Sequence, residues 1–275
     1  MVEAIITKFS RLLLWQILLG AVLLFLLPPA TWGATGIIVA RTDAFESIRN
    51  LMSDTSTLTR AGREYVAGRH AGRNLVLVRS PMGKVNNTIT TQILLSEFEV
   101  DLVISIAPAG AVDQDLKIGD MVLADRVYQH DFGTIKPYGF IWGRTPDGTG
   151  WEDEGYNAHP HPETATIEQA FRRSEPPGQK GWQLVIGSVV SGDQMIADEE
   201  KRDWLRSKFQ AVAVDMSGAA IIQTCFANGV RGQIVRIITD QADITARSDF
   251  EASFGPDNYE PDYRLLIKIL LDAAP

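Results

Sequence analysis

The feature that most restricts this chain is an alternation, kept up from residue 35 to the C-terminus, of short β-branched runs with segments of helical periodicity. Residues 35–40 read Thr-Gly-Ile-Ile-Val-Ala, which suits a strand buried on both faces. Residues 43–52 follow with Phe45, Ile48 and Leu51 or Met52 on one helical face. Segments 64–68 and 74–80 predict a strand pair, and 86–98 a helix with Ile89, Ile93, Leu94 and Phe98 in register. Further strands are expected at 102–106, 120–124, 183–190, 212–215 and 232–238, with helices at 201–209, 217–228 and 263–273. Gly229 stops the second of these helices. Alternation of this kind implies an α/β fold: a single domain with a mainly parallel mixed sheet flanked by helices. Only 133–182 breaks the pattern. It reads as a Gly- and Pro-rich surface excursion at 143–162 followed by a helix at about 163–173.

The first 34 residues are of another kind. Lys8 and Arg11 precede an apolar run at 12–27, interrupted only by Gln16 and Gly20 and ended by Pro28-Pro29, with small residues beyond. This is the layout of a signal peptide, and the run is short of the roughly 20 residues a spanning helix needs. A signal peptide, or an uncleaved signal anchor attaching the chain to the membrane, is therefore expected over 1–34, with the folded domain at 35–275. The protein is expected to be exported, to a periplasmic or extracellular location.

Composition removes several classes of function. A net charge of −8 argues against a nucleic-acid binder, which needs a basic stripe. A single cysteine, Cys225, rules out an internal disulfide and a cysteine-rich metal site, and its apolar helical surroundings read as packing. His159 and His161, separated by Pro160, lack helical ligand spacing and read as a turn before a helix. No metal or cofactor is expected. There is no Gly-x-Gly-x-x-Gly after a strand, no phosphate-cradling loop and no Gly-x-Ser-x-Gly elbow.

Ligands of such sheets bind beyond the carboxyl ends of strands. The predicted ends carry Ala107-Pro108-Ala109-Gly110, Ser191-Gly192-Asp193-Gln194-Met195-Ile196, Asp215-Met216-Ser217-Gly218 and Thr239-Asp240-Gln241-Ala242-Asp243. Together with Met82-Gly83-Lys84-Val85, Leu116-Lys117-Ile118-Gly119-Asp120 and His130-Asp131, these segments resemble, in the same order, the signatures of the methylthioadenosine/S-adenosylhomocysteine nucleosidases of the purine nucleoside phosphorylase superfamily. The resemblance runs from about residue 35 to the C-terminus.

It implies a hydrolase that breaks the N-glycosidic bond of a purine nucleoside or a modified nucleoside, a role in nucleoside catabolism, a small-molecule ligand and a homodimer. Asp240 matches the family's acid, which protonates the leaving purine at N7; the plainer alternative is a turn cap. Arg236 matches an arginine near the ribose, or is an ordinary salt-bridged strand residue. Met216 matches a residue packed on the sugar, or is core. Ala109 and Gly110 would let a flat ligand approach the backbone. Met195 stands where the family stacks an aromatic ring on the base, and Ile196 would offer backbone groups to the purine edge. Three positions depart from the family. Ser217 replaces the glutamate that grips the ribose hydroxyls, Ala44 replaces the glutamate that activates water, and Pro108 replaces a small polar residue. Asp43 and Glu46 are the nearest carboxylates to Ala44, and Asp43 is the substitute base the hydrolase reading needs. The alternatives are a catalytically impaired nucleoside-binding or storage protein, and a phosphorylase using Arg41, Lys84 or Arg79 for phosphate.

Overall fold

The computed structural model describes residues 33–143, 183–253 and 263–273, with the isolated residue 169. The N-terminal apolar run, the 144–162 part of the excursion with its two histidines, and the expected 163–173 helix (apart from residue 169) lie outside these. No helix among the described residues is long and apolar enough to cross a membrane.

In chain order the elements are β1 (Ala34–Val39), α1 (Thr42–Arg49), β2 (Ser53–Arg60), β3 (Arg63–His70), β4 (Arg73–Arg79), α2 (Lys84–Glu97) and β5 (Val100–Ala111). Next come β6 (Met121–Gln129), the hairpin β7 (Gly133–Lys136) and β8 (Gly139–Trp142), and β9 (Leu184–Ser191). The chain continues through α3 (Glu199–Phe209), β10 (Ala211–Asp215), α4 (Gly218–Ala227), β11 (Arg231–Asp240), α5 (Ala246–Ala252) and α6 (Tyr263–Ala273).

The main sheet has the order β10-β9-β6-β11-β5-β1-β4-β3-β2. It is a mixed sheet, as expected of the alternation, but antiparallel pairings are nearly as many as parallel ones and part of it closes on itself. β1 pairs in parallel with β4 and β5, β11 with β5, and β9 with β6 and β10. But β6 runs against β11, β3 against both β2 and β4, and β10 against the end of β5. That last pairing closes β5, β11, β6, β9 and β10 into a ring, from which the remaining strands extend. Closure follows from length. β5 has 12 residues and its pairing with β1 ends at Ile106, so its last residues, Gly110 and Ala111, are left to meet Val214 and Ala213.

β2 was not legible because its sequence, Ser-Asp-Thr-Ser-Thr-Leu-Thr-Arg, is polar and exposed at the sheet edge. It is held by a two-residue turn in which Ala61 and Gly62 both have positive φ, as do Ala71 and Gly72 in the next turn. Paired positive φ angles match the twist of a hairpin. Each face of the sheet has its own core. Ile37, Leu77, Ile104 and Val235 pack against Phe45 and Ile48 of α1 and Ile267 and Leu270 of α6. Ile38, Val103 and Ile234 pack against Leu94 of α2 and Ile221 and Cys225 of α4. Burial pushes the Cys225 thiol up to about 12, so it is a packing residue that forms no thiolate near neutral pH.

Candidate active site

The carboxyl ends of β1, β4, β5, β10 and β11 and the loop after β9 surround a cavity of 360 Å³. Its size is that of a small-ligand pocket.

Asp240 stands on its wall as the last residue of β11, 5% exposed. A bulge puts it there. Ile238 faces Ala109 across the β5 ladder and Asp240 faces Gly110, leaving Thr239 as the extra residue. Such bulges re-aim side chains at sites. The carboxylate accepts hydrogen bonds from the Ala242 N–H at 3.1 Å and the Thr239 hydroxyl at 3.0 Å. Burial pushes it above its ordinary value; these two bonds oppose that, and the nearby charges of Asp249 and Asp243 push it further up. Gly110 is what makes room for it, since a Cβ there would come within 2.6 Å of Asp240 Oδ1.

Asp215, also on the wall, is by contrast spent on the protein. It accepts from Arg236 Nε, from the Ser191 hydroxyl, and from the N–H groups of Ser217 at 3.2 Å and Gly218 at 3.0 Å. The last two are free donors of the first turn of α4, which a carboxylate suits. The Ser191 oxygen in turn accepts from the Ala219 N–H at 2.8 Å. Arg236 is fully buried. Its Nη1 donates to the Ser105 and Val235 carbonyls and its Nη2 to Ser217 Oγ at 3.1 Å.

The sequence model of the Phosphorylase superfamily matches residues 34–260. The chain belongs to the phosphorylase superfamily. It is 32% identical over 219 residues to a 5′-methylthioadenosine/S-adenosylhomocysteine nucleosidase of a Marinomonas species, covering 78% of this chain and 89% of that protein. Among solved structures it resembles the futalosine hydrolase of Helicobacter pylori, with a TM-score of 0.73, 25% identity, and 89% and 100% of the two chains covered. An S-adenosylhomocysteine nucleosidase of Streptococcus pyogenes, in complex with 5-methylthiotubericidin, gives a TM-score of 0.71 and 26% identity over 90% and 98%.

The superfamily fold brings most of the expected residues together: Ala109, Gly110, Met195, Ile196, Met216, Ser217 and Asp240 all line the cavity, as does Pro108. Arg236 does not stand on the wall. It lies behind Ser217 and Asp215 and reaches the cavity only through them.

Asp43, the expected substitute base, is not among the residues that line the cavity. Arg41 Nε holds both of its oxygens, at 3.0 and 2.9 Å, and the Ala44 N–H donates to it at 2.8 Å. Burial would raise its pKa, but the Arg41 hydrogen bonds, the Ala44 N–H and the Arg41 charge outweigh burial and hold it below the ordinary value. A carboxylate so held is a poor base. Ala44 itself is on the buried face of α1, packed in the core.

Of the three candidate cations, Arg41 and Arg79 line the cavity. Lys84 is turned to Asp131 at 2.7 Å and Gln129 at 3.1 Å, and so serves a partly buried network beside the loop after β9. The same network holds Asp193, whose N–H donates to Asp131 and whose carboxylate caps the Lys84 N–H at 2.7 Å. His130 packs against Gly192 in this region, and burial drives it down to about 4, so it is neutral at pH 7.

Sequence reasoning gave no role to Asp215, Ser191 or Phe250. A carboxylate ending a strand just before a helix start was the available signal for Asp215. Ser191, which donates to Asp215, and Phe250 of α5, which lines the cavity, are brought in only by the packing of separate elements.

Proposed function

We propose that this chain is a nucleosidase that hydrolyses the N-glycosidic bond of a purine nucleoside or a modified nucleoside, with Asp240 as the general acid. The observation that carries this reading is the buried Asp240 carboxyl on the cavity wall, held against Gly110 and kept protonated more readily than an ordinary aspartate. A purine leaves poorly as an anion. A proton delivered to N7 lets the C–N bond break as positive charge develops on the sugar. The base would lie between Asp240 and the Met195–Ile196 loop, with the Ile196 backbone at its edge. The sugar would lie against Met216 and Ser217. Arg236, acting through Ser217 and Asp215, orients that wall without touching the ligand. The names of the related nucleosidases point the same way.

Among the described residues the wall carries two carboxylates, Asp240 and the fully engaged Asp215. The reading therefore leans on leaving-group protonation, with water capturing the sugar cation. The same observation keeps a binding protein in play. Arg41 and Arg79 on the wall keep a phosphorylase in play.

One assay separates the three: chromatography of purine nucleosides incubated with the purified full chain, with and without phosphate. Free base and free sugar without phosphate are expected. Release only with phosphate, as a sugar 1-phosphate, would make it a phosphorylase. Ligand-dependent thermal stabilisation without release would make it a binding protein.

The apolar run at 12–27 supports export, as a cleaved signal or a membrane anchor. Fractionation with N-terminal sequencing tests this, and intact chain confined to the cytosolic fraction would refute it. A homodimer is proposed from the family resemblance, and gel filtration at the monomer mass would refute that.

A further inference from the structure

We infer that the preferred sugar of this site is one without a 2′-hydroxyl, so that 2′-deoxyribonucleosides are better substrates than ribonucleosides. The inference rests on the hydrolase reading above and on two separate observations.

The first concerns what the sugar wall can accept. A ribose diol offers two hydroxyl protons, and a tight grip on it needs a charged acceptor aimed at them. Among the described residues the carboxylate at the start of α4 is Asp215. Its oxygens already take Arg236 Nε, the Ser191 hydroxyl and the N–H groups of Ser217 and Gly218. Ser217 faces the cavity with a short hydroxyl whose oxygen receives Arg236 Nη2 at 3.1 Å. A hydroxyl accepting from a guanidinium is polarised toward donating its own proton. It is a weak partner for a second donor. A site built to hydrogen-bond a substrate hydroxyl rejects the analogue lacking it by roughly 10⁴-fold or more. Among the described residues the sugar wall offers no unengaged carboxylate for such a grip.

The second concerns the chemistry. Asp43 is off the wall and bound to Arg41, and Ala44 is a buried methyl. With Asp215 engaged and Asp240 assigned as the acid, no carboxylate of the described wall is left to activate water, and the reaction depends on how readily the sugar becomes a cation. A 2′-hydroxyl withdraws electrons from C1′ and makes that cation harder to form; a 2′-methylene does not. In the proposed step the C1′–N9 pair leaves with the purine, and N7 takes the Asp240 proton. Water then adds to C1′ and its proton passes to solvent or back to Asp240. The products are free base and 2-deoxyribose.

The test is a competition. The purified full chain is given equal concentrations of adenosine and 2′-deoxyadenosine without phosphate, and both sugars are followed by chromatography. Faster loss of 2′-deoxyadenosine is expected, and an adenosine rate equal to or above it overturns the inference. In Ser217→Glu the ratio should move toward adenosine, because a carboxylate is restored beside Arg236; an unchanged ratio removes Ser217 from the argument and overturns its first half. If neither nucleoside is cleaved, the hydrolase reading has failed on its own account. Binding to the wild-type chain then decides the sugar question. A melting shift with 2′-deoxyadenosine at least as large as with adenosine upholds the inference, and a smaller one overturns it.

Discussion

Asp240→Asn removes a proton donor while leaving its surroundings almost unchanged. The carboxamide has the size of the carboxyl it replaces, so it fits the space left by Gly110. Its Oδ1 can still accept from the Ala242 N–H. The Thr239 hydroxyl, now 3.0 Å from Asp240 Oδ2, can turn its proton to the Ala109 carbonyl at 3.3 Å and accept from the new NH₂ group. The fold therefore loses no hydrogen bond. What is lost is general-acid catalysis, ordinarily about 10²- to 10⁴-fold, or about 3–5 kcal/mol of barrier at 1.36 kcal/mol per decade. Base release measured as kcat/KM across pH should fall by that factor near neutrality. The wild-type rate should also decline as pH rises through the raised Asp240 pKa, a limb the variant lacks. Stability moves the other way. A carboxyl whose pKa is raised on folding contributes stability that is fully present below 3.8 and lost as pH rises through the folded value. At pH 7 the Asn variant should thus melt no lower than wild type, and its advantage should shrink as pH is lowered toward 3.8. A loss in kcat/KM of less than about fivefold, or a wild-type pH profile in the variant, would refute the assignment of Asp240 as the acid, because either leaves nothing for the typical general-acid factor to explain.

Asp215→Ala should cost about 3–5 kcal/mol in denaturant unfolding, because it strands the fully buried Arg236 without its carboxylate; a cost below about 1 kcal/mol would mean the pair is not the keystone of this wall. Gly110→Ala puts a Cβ 2.6 Å from Asp240 Oδ1 on a paired strand, so the acid must shift. A displacement near 1 Å is enough for a loss of about a hundredfold in kcat/KM, and full activity would show that Asp240 need not occupy this position. Asp43→Asn separates the base and ion-pair roles: kcat/KM should stay within about tenfold, whereas removing an essential base would cost more. Its lowered pKa means that Asp43 contributes stability above 3.8 that is lost as pH falls through the folded value. The variant should therefore melt lower than wild type at pH 7, and the two should converge in acid. The pair with Arg41 is partly exposed, so that deficit should not exceed about 1 kcal/mol.

The sequence alone determined the types of the β-branched strands and amphipathic helices and the strand-end positions of the candidate residues, because both follow from local patterns; the polar β2, the β7–β8 hairpin and α5 carried no such pattern. β-branched runs such as 35–40 have nowhere to go but a buried strand, and Tyr263–Ala273 shows its apolar face along the helix. It also marked Ala44 and Ser217 as departures, since a missing carboxylate is visible in one dimension. The closure of the sheet through β10 and β5 was decided only in three dimensions, because pairing direction depends on which strand ends are left unpaired after the others have docked. Asp43 illustrates the same limit at the site. Its nearness to the first strand end made it a candidate base, yet the Arg41 side chain two residues away holds its charge off the cavity wall. Asp215 and Asp240 read alike in the chain, each an aspartate closing a β-branched strand. Tertiary packing set a buried guanidinium and a helix start against one, and left the other in a poorly solvated wall with only two donors. An aspartate's propensity to hold a proton depends on the dielectric and the donors around it; both aspartates have donors close by in the chain, but Arg236 and Ser191, which engage Asp215, come from distant elements.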